Sequence, residues 1–138
     1  GLGVDGRLHR RARGPGVTAS MKSAYCDVPA YVTKDGSTIR ELMHPSVHGN
    51  RNQSFAEAIV APGARTALHR HGVTEEIYHV TAGEGRMTLG EAQFAVRSGD
   101  TVCIAPGTAH CVENTGSEEL KILCACAPAY AHEDTELL

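Results

Sequence analysis

His69, His71 and Glu76 fall within one short run, HRHGVTEEIYHV, residues 69 to 80. Imidazole nitrogen and carboxylate oxygen are donors that divalent transition metals accept, and two imidazoles with one carboxylate leave open positions on the ion. Residues i and i+2 of a strand point to the same face, so His69 and His71 project together. The turn GVT follows, and on the next strand Glu76, Tyr78 and Val80 share one face while Glu75 and His79 share the other. If Tyr78 and Val80 face inward, Glu76 rather than Glu75 meets the histidines. His110, which follows APGT and opens the run HCVEN, offers a fourth donor. The plainer reading of the same residues is a polar turn between two strands, and the elements around them have to decide.

Those elements read as strands. From about Tyr31 onward, runs rich in β-formers alternate with glycine and proline punctuation: TIRELM after KDGS, SFAEAIV before APGA, EEIYHV before TAGEG. GRMTL and QFAV flank GEA as a hairpin, and TVCI, HCVEN and LKILCACA follow. Strand-length runs spaced by turn chemistry at intervals near ten residues indicate an all-β sandwich or barrel. No segment sustains a helical period over three turns.

Composition sets the outer limits. A length of 138 residues suggests one domain that can bury a core unaided. The net charge of −3 gives no sign of nucleic acid or an anionic membrane as partner, and no apolar run approaches the ~20 residues a membrane helix needs. Residues 1–20 carry Arg7, Arg10, Arg11 and Arg13 against Asp5, without periodicity, and read as a tag, an upstream extension or a flexible basic arm; residues 21–138 form the folded domain. Cys26, Cys103, Cys111, Cys124 and Cys126 are odd in number, which suits reduced thiols in a cytoplasm. Cys124 and Cys126 share one strand face, but as a lone Cys-x-Cys pair they read as small core residues.

Two spaced motifs carry a resemblance. Gly63, His69-x-His71, Glu76 and Gly83 match the first motif of the cupin superfamily at every position. GDTVCIAPGTAHCVEN resembles the second, through Gly99, Pro106-Gly107, His110 and Asn114, with Ala105 where a first proline is usual. The resemblance covers about Ser37 to Pro128. It implies a double-stranded β-helix, or jelly-roll, barrel holding one divalent transition metal through His69, His71, Glu76 and His110. Fe(II) is the ion expected, with Zn, Mn or Ni as alternatives. It further implies a metal-dependent enzyme acting on a small oxygenated organic molecule, with oxygenase or dioxygenase chemistry ahead of a non-redox isomerase, lyase or polyketide cyclase. A non-enzymatic small-molecule sensor is the reading from another class. Small cupins pair, so a homodimer is expected.

Further residues are candidates for the cavity. Tyr78 is expected to face inward, where its phenol could bind substrate or act as an acid. Arg40, Arg51 and Gln53 are the other polar side chains that could reach substrate. His44 and His48 lie on a loop near the first strands and read as solvated, and the acidic tail YAHEDTELL reads as solvated or draped over the barrel.

Overall fold

The computed structural model describes residues 21–138, so the expected basic arm lies outside the described residues. The strands are β1 (Ala30–Val32), β2 (Thr38–Met43), β3 (Ser54–Val60), β4 (His69–His71), β5 (Glu75–Ala82), β6 (Glu84–Leu89), β7 (Ala92–Arg97), β8 (Thr101–Ile104), β9 (His110–Asn114), β10 (Leu120–Ala127) and β11 (Thr135–Leu137). They form two antiparallel sheets, in the orders β1-β2-β3-β10-β5-β8 and β11-β4-β9-β6-β7. This is the all-β jelly-roll barrel expected from the strand pattern and the resemblance. Helical structure among the described residues is confined to single 3-10 turns at Tyr25–Asp27 and His132–Asp134.

The alternation of each strand decides what the barrel encloses. On β10, Leu120, Ile122, Cys124 and Cys126 point inward, and on β5 Glu76, Tyr78 and Val80 do so. Val60, Val80, Leu120 and Ile122 from one sheet meet Met87 and Val112 from the other in the apolar core, joined by Val96 and Ile104. Toward the other end the same strands turn to smaller or polar side chains: Ser54, Ala56 and Ala58 on β3, Cys124 and Cys126 on β10, Glu76 on β5. These do not fill the space between the sheets, and they line a cavity instead.

Turns fix the strands in place. Gly83, between β5 and β6, has φ of +84°, and a Cβ there would lie 2.6 Å from the Glu119 carbonyl oxygen. Gly36, in the β1–β2 turn, has φ of +93° but open space around the missing Cβ. Asn114 ends β9 inside the barrel: its amide donates to the Val60 and Glu118 carbonyls and its oxygen accepts from Gly116 N–H. The tail does not stay solvated. It runs as β11 beside β4, pairing Thr135 with His71 and Leu137 with His69.

The two glycines yield a graded expectation. Gly36→Ala should cost about 1 kcal/mol, the left-handed penalty alone. Gly83→Ala should cost clearly more, because a backbone clash adds to the same penalty. Urea denaturation midpoints for the two variants check the order, and equal losses would contradict it.

Candidate metal centre

Three strands bring four donor side chains together beside the cavity. β4 supplies His69 and His71, β9 supplies His110 and β5 supplies Glu76, and all four are buried. Cross-strand register sets their neighbours: His69 stands opposite His110, His71 opposite Thr135, and Glu76 opposite Cys126. Glu75 is exposed on the other face of β5, as the alternation predicted.

Each imidazole is anchored by its Nδ1. His69 Nδ1 lies 2.7 Å from the Ala67 carbonyl and His110 Nδ1 2.9 Å from the Thr108 carbonyl, so both donate. The Thr135 hydroxyl donates to the Ala131 carbonyl at 3.1 Å, which leaves it to accept from His71 Nδ1 at 3.0 Å. In the neutral rings these bonds place the remaining proton on Nδ1 and direct the Nε2 lone pairs inward.

The lone pairs of His71 and His110 have no protein hydrogen to meet. One donor nitrogen from each of His69, His71 and His110 lies within 4.8 Å of the other two. Glu76 Oε1 lies 3.2 Å from His71 Nε2 and 3.5 Å from His110 Nε2, but none of these three buried atoms makes a hydrogen bond. Buried acceptors facing one another without a partner are costly. A divalent cation is the species that satisfies them together, so the three histidines could hold a metal ion, and Glu76 faces two of them.

Burial alone would push the Glu76 carboxyl up, but when the His110 and His71 rings carry a proton on Nε2 their donation overrides it and holds it down, at about 2. Its other oxygen accepts from the Cys126 thiol at 3.4 Å. Burial, followed by the charge of Glu76, pushes that thiol up, so it stays a protonated donor. Burial and the neighbouring His110 lower the His69 pKa, while Asp35 pulls it the other way.

Other expected residues fall in different places. Tyr78 is buried in the cavity wall with its ring edge-on to His110 at 5.9 Å. Arg40 projects from the far face of β2, with its guanidinium 4.9 Å over the Tyr25 ring. Arg51 and Gln53 are exposed, so the structure does not bring these three to the cavity. His44 is buried rather than solvated: its Nε2 lies 2.7 Å from the Tyr130 carbonyl. His48 Nδ1 accepts from the His44 backbone N–H.

Several cavity residues escaped sequence reasoning. Tyr31, Asp35, Glu41, Tyr130 and Thr135 all line the cavity. Tyr130 sits edge-on to His71 at 5.7 Å, and Asp35 Oδ2 lies 3.6 Å from His69 Nε2. Asp35 belongs to KDGS, where Asp-Gly signals a turn and nothing more. Alternation within TIRELM could have placed Glu41 with Ile39 on the inner face.

Comparison with known proteins agrees with this architecture. The cupin domain profile matches residues 56–126. The uncharacterised protein MJ1618 of Methanocaldococcus jannaschii is 51% identical over 118 residues, covering 86% of this chain and 94% of that protein. Protein SchB of Streptomyces halstedii is 31% identical over 118 residues, covering 82% and 85%. The crystal structure of the polyketide cyclase RemF from Streptomyces resistomycificus superposes with a TM-score of 0.70 at 19% identity, over 85% of this chain and 84% of that one. With both motifs, the barrel and the profile match in agreement, the chain belongs to the cupin domain family.

Proposed function

We propose that the chain is a metal-dependent enzyme in which His69, His71, His110 and Glu76 hold one divalent transition ion, and a small oxygenated organic molecule binds beside it. The observation that carries this is the set of buried, inward-facing Nε2 and Oε1 atoms that make no hydrogen bond. Such an ion would supply a Lewis acid for a substrate oxygen or, as Fe(II), redox chemistry with dioxygen.

The chain's own groups favour non-redox acid–base chemistry. The cavity is small, about 50 Å³, and opens to solvent. Burial pushes the phenols of Tyr31 and Tyr78 up and Tyr130 up to about 12, so all three stay protonated and can donate to substrate oxygens. Glu41, whose carboxyl is pushed up by burial, faces the same space as a proton acceptor or donor. Titratable groups with displaced pKa values gathered in one cavity are what an isomerisation, cyclisation or dehydration requires. No lysine or arginine is among the described lining residues, so a neutral or singly charged molecule suits the walls better than a dianion. The fold of a polyketide cyclase is compatible with this reading. The second reading is an oxygenase, favoured by the three-histidine, one-carboxylate set, which suits Fe(II).

We also place a homodimer contact on the outer face of the larger sheet. Phe55, Ala125, Ile77 and Cys103 register side by side across β3, β10, β5 and β8, and Phe55 and Ile77 are exposed. All five cysteines are unpaired, in keeping with a reducing compartment, and no helix among the described residues is long and apolar enough to cross a membrane.

Three outcomes test the reading. Elemental analysis should find about one transition-metal ion per chain, most of it lost in His110→Ala; Glu76→Gln should weaken binding while Glu75→Gln leaves it unchanged. Metal affinity should fall between about pH 7 and 5, because protons compete for imidazoles whose ordinary pKa is about 6.5. His69, lowered by burial, keeps its lone pair to lower pH than an exposed imidazole, so its contribution is fully present above 6.5 and fades only below it. Lastly, the zinc form should convert an enolisable diketone under strict anaerobiosis. Turnover confined to the Fe(II) form after air is admitted, with dioxygen consumed in step, would instead establish the oxygenase.

A further inference from the structure

We infer that Asp35 is a fifth protein donor of the metal centre, reaching the ion beside His69. The inference rests on the three-histidine site and adds a carboxylate that lies outside both sequence motifs.

The position of Asp35 is tightly determined. Its Oδ1 accepts from Thr33 Oγ1 at 2.7 Å, Ser37 N–H at 2.9 Å and Ser37 Oγ at 2.7 Å. Its backbone carbonyl accepts from Ala67 N–H at 2.8 Å, two residues before His69. The neighbouring Lys34 Nζ donates to the His132 carbonyl at 3.2 Å and the Thr135 carbonyl at 2.8 Å. The β1–β2 turn is thereby tied both to the segment entering β4 and to the segment entering β11. One carboxylate oxygen is consumed in holding the turn, and the other, Oδ2, is directed at the cavity.

What Oδ2 meets there is the Nε2 of His69, 3.6 Å away. The Nδ1 of that ring donates to the Ala67 carbonyl, so in the neutral ring Nε2 carries a lone pair. A carboxylate oxygen and an imidazole lone pair repel unless a cation lies between them. The same situation holds at Glu76, whose Oε1 stands 3.2 Å from His71 Nε2 and 3.5 Å from His110 Nε2. Two donors bound to one ion at about 2.1 Å lie about 3.0 Å apart at a right angle and about 3.4 Å apart at a tetrahedral one. All three carboxylate–imidazole separations are close to that spacing. Glu76 thus serves His71 and His110, and Asp35 serves His69. Two carboxylates would offset the charge of a divalent ion in a cavity without lysine or arginine among its described lining residues, and would leave a single open position in a six-coordinate shell.

The test uses the full chain, with Co(II) as probe. Asp35→Asn keeps an oxygen for the turn but puts an amide N–H₂ toward His69, and Asp35→Ala removes the side chain. Co(II) affinity is measured by calorimetry and the ligand field by visible absorption, with His110→Ala as reference; thermal unfolding of the metal-free proteins confirms that each variant folds. Both Asp35 variants should bind Co(II) at least tenfold more weakly, with a visible spectrum changed in the same way. Affinity and spectrum unchanged in Asp35→Ala, with His110→Ala losing the ion, would overturn the role of Asp35 while the three-histidine site stands. Weakening in Asp35→Asn alone would also overturn it, since an amide competing for His69 Nε2 would account for the loss. If His110→Ala binds Co(II) as the parent does, the site itself is misplaced and both readings fall.

Discussion

Strand register is the constraint on which this centre depends. His69 faces His110, His71 faces Thr135 and Glu76 faces Cys126 because β4 pairs with β9 and β11, and β5 with β10. Side chains alternate with a period of two, so slipping any of these pairings by one residue would send a donor to the outer face and bring an outer residue in. The three histidines and Glu76 therefore need no loop to position them. Their lone pairs are aimed by backbone and hydroxyl acceptors at Nδ1, and two of those, the Ala67 and Thr108 carbonyls, lie two residues before the histidine they orient. Second contacts of this kind set both the tautomer and the angle of a ligating imidazole.

The cavity exists because the same strands change character along their length. Leucine, isoleucine, valine and methionine fill one end, while serine, alanine and cysteine at the other end leave volume lined by phenols and carboxylates. An interior that buries three histidines, Glu76 and Glu41 bears a desolvation cost, and the apolar end must offset it. The arrangement thus divides a single barrel: an apolar core at one end, the histidines and the cavity at the other.

Much of this was legible in the sequence, for physical reasons. Several strand runs read from turn punctuation, TIRELM, SFAEAIV, TVCI, HCVEN and LKILCACA among them, coincide with β2, β3, β8, β9 and β10. Alternation put Glu76 on the face of Tyr78 and Val80 and Glu75 on the other, and the apolar character of Val80 pointed to the first face as the inner one. What stayed hidden depended on contacts between distant segments. KDGS announces a turn but not that Asp35 will stand beside His69. YAHEDTELL looks solvated because its charged residues dominate, yet Thr135 is carried inward when the tail pairs with β4. Arg40 looked like a substrate contact because arginine suits anions, whereas its place on β2 turns it toward Tyr25.

The stretch that matches the cupin domain, residues 56–126, contains the three histidines and Glu76 but neither Asp35 nor Tyr130 nor Thr135. The shared barrel thus holds the heart of the site, while the segments before and after it furnish the rim and one imidazole's anchor. Such a division lets the cavity wall be altered from the flanking segments without disturbing the strand pairings that hold the histidines, so a likeness confined to residues 56–126 carries no information about Asp35, Tyr130 or Thr135.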